Sequence, residues 1–259
     1  MSILQDRRRI LGPTDAVPLS TPNQNSVPSE SRNPNQLRKI FLQPGGVSNC
    51  NGSAYIEVGR EIRLQCSVYG PSPIRGSFTE SAELVVETKV TPFAGKSLDN
   101  AQLAHDISSF VYSALRPVVM VEKYPKSSIG VLVTVISGGD NSKSLLAAAT
   151  NVASVALMNA RISLKDVVTA GSVAEDAKGI THYDPEAADD FYGGGAVVAF
   201  CTGRGNSVTN VWIDGSEDAE IDPEKFDKLT DHALDIATQI RSLINGVVIS
   251  EFQRLEKGS

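Results

Sequence analysis

A chain of 259 residues with 41% hydrophobic composition can bury one large core or two small ones. Its formal net charge of −6 argues against holding nucleic acid by bulk attraction, though not against a local basic patch. No apolar run approaches the ~20 residues of a bilayer span, and the first residues lack a signal-peptide core, so a soluble intracellular protein with no membrane partner is expected.

Met1 to Leu11 carries a short basic segment, Asp6-Arg7-Arg8-Arg9, that reads as a solvated face or a docking strip. Thr14 to Gln36 is rich in Pro, Ser, Asn and Gln with little to bury, so residues 1–36 are expected to be a tail with a flexible polar loop. Order is expected from Leu37 onward, as a domain spanning 37–259. Ala54, Ile56 and Val58 alternate with polar residues, Gly59-Arg60-Glu61 turns the chain, and Ile62, Leu64, Cys66 and Val68 alternate again, which predicts a β-hairpin with one face on a core. Tyr69-Gly70-Pro71 closes it, Ser72 to Phe78 forms a loop with Arg75 at its tip, and Ala82 to Val90 is a third strand. Leu103, Ile107, Phe110, Val111, Ala114 and Leu115 make one stripe of a helix from Asn100 to Arg116, before Pro117.

Ser128 to Ile136 is apolar and β-branched almost throughout, which predicts a strand buried on both faces. Leu145 to Ile162 repeats its apolar positions at 3.6 residues, predicting an amphipathic helix with small, polar exposed stretches, and Asp166-Val167-Val168 begins the next strand. After a mixed stretch from Gly171 to Gly195, Ala196 to Thr202 and Ser207 to Asp214 pair about a tight turn whose Gly203 and Gly205 suit positive φ. An acidic run from Glu217 to Glu224 leads into a long helix to about Glu256, lined by Phe226, Leu229, Ala233, Ile236, Ile240, Leu243 and Val247. The three cysteines (Cys50, Cys66 and Cys201) are far apart in apolar runs and read as reduced, buried thiols.

Two stretches resemble chemical equipment. The turn Ser137-Gly138-Gly139-Asp140-Asn141-Ser142, running into a helix, has the form of an anion site, because the first helical N–H groups have no partner. Asp140 and Asn141 are good caps, however, and the carboxylate of Asp140 takes the electropositive spot, so a self-capped helix outweighs a phosphate cradle. Asp184, Glu186, Asp189 and Asp190 form a cluster suited to acid–base or metal work, against which a solvated acidic loop is the plainer reading. His105, His182 and His232 lie in separate elements without metal-ligand spacing. No Walker loop, dinucleotide fingerprint or nucleophile elbow is present, and neither a metal nor a cofactor is expected.

The order β-β-β-α-β-α-β, the hairpin from Asn51-Gly52-Ser53-Ala54 to Val68-Tyr69-Gly70-Pro71, and the Gly138-Gly139 turn together resemble the RNase PH family. Asp6 to Pro13, Asn49 to Ala54, Tyr69 to Phe78 and Tyr124-Pro125-Lys126-Ser127 are similar, within it, to eukaryotic RNA exosome ring subunits of the fungal mRNA-transport-regulator type. The resemblance implies a two-layer α/β (α+β) domain with a mixed sheet packed against helices. It implies a heterohexameric ring with other RNase PH-like subunits around an RNA channel, S1/KH-type RNA-binding cap subunits, and a hydrolytic exonuclease subunit. It also implies work in RNA processing and degradation in nucleus, nucleolus and cytoplasm. Active relatives follow the double glycine with Thr or Ser and then Arg, and carry two acids near the later strand. Here Asp140, Asn141 and Ser142 stand at the degenerate phosphate site, and Asp190 can supply the first acid while Gly195 or Ala196 occupies the second. The reading that follows is a non-catalytic ring subunit with Arg75 as a candidate RNA contact. The alternatives are an active phosphorolytic 3′→5′ exoribonuclease using Lys96, Lys143 and Asp190 as substitutes, and a free-standing RNA-binding module. The last is disfavoured by the lack of aromatic residues interleaved with basic ones.

Overall fold

The computed structural model describes residues 33–257 apart from 77, 93, 95–99, 139–141, 177–179, 186–193 and 215–222. Most of the expected tail, with its arginine triplet, therefore lies outside the described residues, as do Lys96, Asp140, Asn141, Glu186, Asp189 and Asp190.

Alternating apolar residues build a five-stranded mixed sheet in the order β1 (Ile40–Pro44), β2 (Gly52–Val58), β3 (Ile62–Pro73), β5 (Ser127–Ser137), β4 (Glu83–Val90). The expected hairpin forms as β2–β3, with Val58 opposite Ile62 and Gly59 at φ +61° in the turn. β3 continues through Tyr69-Gly70-Pro71 rather than ending there, with a register shift against β5 between Tyr69 and Ser72. β4 and β5 pair in parallel, joined by α1 (Asn100–Leu115). One face of this sheet is buried: Ile56, Leu64, Cys66, Ile129, Val131, Val133 and Val135 are almost wholly inaccessible. The other face of β5 is only half-buried, because Ser128, Gly130, Leu132, Thr134 and Ile136 have no helix of this chain over them among the described residues. The expectation of a strand buried on both faces is corrected to burial on one.

Against the buried face lie α1 and α2 (Ser142–Asn159), and beyond them a second, antiparallel sheet in the order β7 (Thr181–Tyr183), β6 (Val168–Glu175), β8 (Gly195–Cys201), β9 (Ser207–Asp214). Helix α3 (Pro223–Lys257) covers the far side of that sheet through Leu229, Ala233, Ile236, Ala237, Ile240 and Ile244. The sheet-on-helix arrangement thus occurs twice, as sheet, α1 and α2, sheet, α3.

Helix α2 is squeezed between both sheets, and every residue from Ser144 to Leu157 is buried. Its polar residues are therefore not an exposed face, as the sequence pattern suggested. Asn151 shows what they do instead. Its Nδ2 donates to the Ala170 carbonyl at 3.0 Å and its Oδ1 accepts from the Ala170 N–H at 2.8 Å, which extends the hydrogen-bonding of β6 beyond the reach of the short β7.

Two further expectations are refined. Asp166 precedes β6 instead of starting it. Burial opposes its charge, but the Arg241 guanidinium at 2.7 Å and the N–H groups of Val167 and Gly203 outweigh this and hold its carboxyl below the usual range. Of the two glycines in the β8–β9 turn, only Gly205 has positive φ (+75°). Gly203 is needed for proximity, since a Cβ there would lie 2.8 Å from both Arg241 Nη2 and Asp166 Oδ1.

Candidate functional site

Residues from both sheets meet at the start of α2. Gly138 ends β5, where its N–H donates to the Ala94 carbonyl at 2.9 Å. Ser142 and Lys143 then open the helix. From the second sheet, Gly195 begins β8 directly alongside: a Cβ at Gly195 would stand 3.1 Å from both Cδ and Nζ of Lys143, and 2.8 Å from the Val173 carbonyl oxygen. The slot for a side chain at position 195 is therefore taken up by a lysine stem and by the backbone of β6. Ala196, next along, is buried in the core at 1% exposure. The Gly- and Ala-rich start of β8 thus carries no acid, and its neighbour is a cation.

Behind this turn lies a buried polar network. Arg38 donates through Nε to Asp184 Oδ2 at 2.6 Å and through Nη2 to Asp184 Oδ1 at 2.5 Å. Ser172 Oγ donates to Asp184 Oδ1 at 3.4 Å and lies 3.4 Å from Ser144 Oγ, which donates to the Pro185 carbonyl at 2.9 Å. Ser144 sits in the first turn of α2, so the network ties the segment ahead of β1, the end of β7 and the helix start together. Asp184 is thereby removed from the candidate acidic cluster. Its carboxylate is consumed bidentately by Arg38, and its side chain is 10% exposed against 4% for the arginine. Among the described residues, no group of three His, Cys, Asp or Glu side chains is placed to hold a metal ion.

Arg75 lies elsewhere. It is exposed in the loop after β3, which is pinned by the Ile74 N–H donating to the Lys126 carbonyl at 3.1 Å. Lys126 immediately precedes β5, whereas Gly138 follows it, so the 11-residue strand separates Arg75 from the α2 turn by roughly 35 Å. The structure brings Gly195 to Lys143, and leaves Arg75 at the other end of the sheet. Arg38, Ser144 and Ser172 were missed from sequence, because nothing local marks a pair such as Arg38 and Asp184, 146 residues apart.

This two-sheet, three-helix arrangement defines a class. Residues 36–163 match the family described as 3′ exoribonuclease family, domain 1. The rice Rrp46 crystal structure aligns at a TM-score of 0.71 with 21% identity, covering 83% of this chain and 96% of that one. An Archaeoglobus fulgidus exosome with RNA bound to the active site aligns at 0.64 with 17% identity, covering 82% and 90%. At those identities the two structures establish the fold. The sequence goes further: exosome complex component mtr3 of Schizosaccharomyces pombe is 31% identical over 263 aligned positions, covering 98% of this chain and 99% of that protein. The chain belongs to the RNase PH family, among exosome components of the mtr3 type.

Proposed function

We propose that the chain is a non-catalytic ring subunit of the RNA exosome, which supports 3′→5′ RNA processing and degradation by completing the ring and lining its RNA path. Its partners in this reading are the other RNase PH-like subunits of a heterohexamer, S1/KH-type cap subunits, a hydrolytic exonuclease subunit and RNA, in nucleus, nucleolus and cytoplasm. The observation that carries the absence of catalysis is the contact between Lys143 and Gly195. Phosphorolysis holds inorganic phosphate beside an RNA phosphodiester, two anions that repel by about 4 kcal/mol at 4 Å and an effective dielectric of 20. It also needs an acid for the leaving oxygen. At the start of β8 a carboxylate is replaced by a glycine whose side-chain space is filled. The sequence adds Asp140 and Asn141 where a hydroxyl and an arginine would serve. Loss of one stabilising donor typically costs on the order of 10²–10³ in rate, and here several are replaced together.

The purified chain, incubated with 5′-labelled RNA, phosphate and magnesium, is expected to release no nucleoside diphosphate above background; release would overturn the reading. Gly195→Asp is expected to leave that result unchanged, because any Cβ at 195 meets the Val173 carbonyl at 2.8 Å and the strand must shift to admit it.

The competing reading, an active phosphorolytic exoribonuclease, draws on the same lysine, whose ammonium reaches the site. A lysine offers a point charge rather than the planar two-pronged guanidinium, and so is a poor substitute. If trimming were observed and Lys143→Ala abolished it, that reading would replace ours.

Arg75 is assigned to RNA phosphate contact because it is exposed on a loop whose backbone is tied down beside β5. Arg75→Glu in the assembled ring is expected to weaken RNA binding and reduce the slope of log affinity against log salt by about 1. Unchanged affinity and slope would show a plain surface arginine.

A further inference from the structure

The outward face of the first sheet carries a polar cavity of about 270 Å³ that the reading above does not use. Its lining includes the side chains of Gln43, Tyr55 and Gln65, with Gly46, Val47, Ser53 and Ala54 beside them. Strand alternation explains the cluster: Ala54, Ile56 and Val58 point into the core, so Ser53, Tyr55 and Glu57 point out. Register does the rest. Gln43 on β1 lies opposite Tyr55 on β2, and Tyr55 lies opposite Gln65 on β3. One aromatic ring is therefore flanked on both sides by a primary carboxamide at cross-strand distance.

The ring is held in place. Tyr55 donates its hydroxyl to Glu57 Oε1 at 2.6 Å, and the Glu57 carboxylate is 3.6 Å from Arg63 Nε. Burial, together with the hydrogen bond and charge of Glu57, pushes the phenol pKa up, so the hydroxyl remains a donor across the physiological range. Among the described residues neither Gln43 nor Gln65 has a hydrogen-bond partner in the protein, so both amides face the cavity or solvent with free donors and acceptors.

We infer that this cavity binds a single adenine base of single-stranded RNA. Its volume is below the range that encloses a drug-sized ligand, and suits one ring system. An aromatic side chain offers any base a stacking surface worth about 1–3 kcal/mol. The two amides choose among bases. A carboxamide presents a C=O acceptor beside an N–H donor, and pairs bidentately with a neighbouring donor and acceptor. The adenine amino group has two N–H bonds, one beside N1 and the other beside N7, so two amides can each pair with it. Uracil has one ring N–H on its pairing edge, and cytosine has an acceptor on only one side of its amino group, so each pyrimidine leaves one of the two amides without a full pair.

The inference deepens the RNA-guiding reading and rests on it for the source of the base, so the test separates the two. Fluorescein-labelled oligoadenylate and oligouridylate of equal length are titrated with the full chain at low salt, by anisotropy. Oligoadenylate is expected to bind more tightly by roughly fivefold or more. Gln43→Ala/Gln65→Ala is expected to equalise the two while Tyr55→Leu weakens both. Thermal melting checks that each variant is folded, and Gln65→Glu, which keeps shape but removes the amide donor, serves if the double variant is not. Adenosine monophosphate is titrated as a second arm. Oligoadenylate preference that the amide variants erase supports the inference, and monophosphate binding alone overturns RNA as the source. Equal binding of both oligonucleotides by the wild type overturns adenine recognition and leaves RNA guidance standing. No binding of any probe overturns the site.

Discussion

Arg38→Ala is expected to destabilise the folded chain by about 3–5 kcal/mol. The guanidinium makes two short hydrogen bonds to Asp184, and both side chains are withdrawn from water. Alanine leaves the carboxylate in that pocket with the Ser172 hydroxyl, at 3.4 Å, as a weak remaining donor. Removing one member of a buried pair costs more than the pair contributes, because the charge that stays has lost both its water and its counter-charge. For a chain of this size the loss corresponds to a melting-temperature drop of roughly 10 °C. Arg38→Lys should fall between the two, since an ammonium cannot span both carboxylate oxygens in the same geometry. Urea denaturation read by far-UV circular dichroism measures all three proteins. An Arg38→Ala midpoint matching the wild type would remove the pair from the account of what holds α2 in place.

The pair also shows where sequence reasoning stops. Alternation at Ala54-Ile56-Val58 and Ile62-Leu64-Cys66-Val68 makes the β2–β3 hairpin legible, because a strand with one buried face writes its period into the sequence. The stripe from Leu103 to Leu115 does the same for α1. β1 was missed because five residues, Ile40 to Pro44, carry too few alternations to stand out. Burial of α2 on all sides could not be read from its own residues, since the covering sheet is built from 168–214, far along the chain. Asp184 looked like part of an acidic cluster because spacing cannot reveal an arginine 146 positions earlier.

The candidate site divides in the same way. The glycine at 195 and the Gly138 turn could each be picked out along the sequence. Their adjacency through Lys143 could not, because it depends on β8 in one sheet meeting a helix that leaves the other.

Gly52→Ala is the second large effect expected, and it concerns what fixes the far end of α2. Gly52 begins β2 where the helix ends. A Cβ there would lie 2.2 Å from the Ala160 nitrogen, 2.5 Å from its Cα and 2.6 Å from its Cβ. These are backbone atoms or the atom next to them, so no side chain can rotate aside. The surroundings cannot yield easily either: the Ser53 N–H donates to Asn159 Oδ1 at 3.0 Å, and the Gly70 N–H donates to Asn51 Oδ1 at 2.9 Å, so residues on both sides of Gly52 are tied. Overpacking against movable side chains costs about 1–3 kcal/mol, and displacing a helix terminus from a sheet should reach or exceed the top of that range. Gly46→Ala is the control. It lies in the loop just before, with nothing within 4 Å of the added carbon, and should change stability by less than about 0.5 kcal/mol. Urea midpoints of the two variants decide the matter. If Gly52→Ala unfolds where Gly46→Ala does, the close approach of strand and helix is not what requires glycine in the Asn51-Gly52-Ser53 segment, and the resemblance carried by those residues has no structural cause at this position.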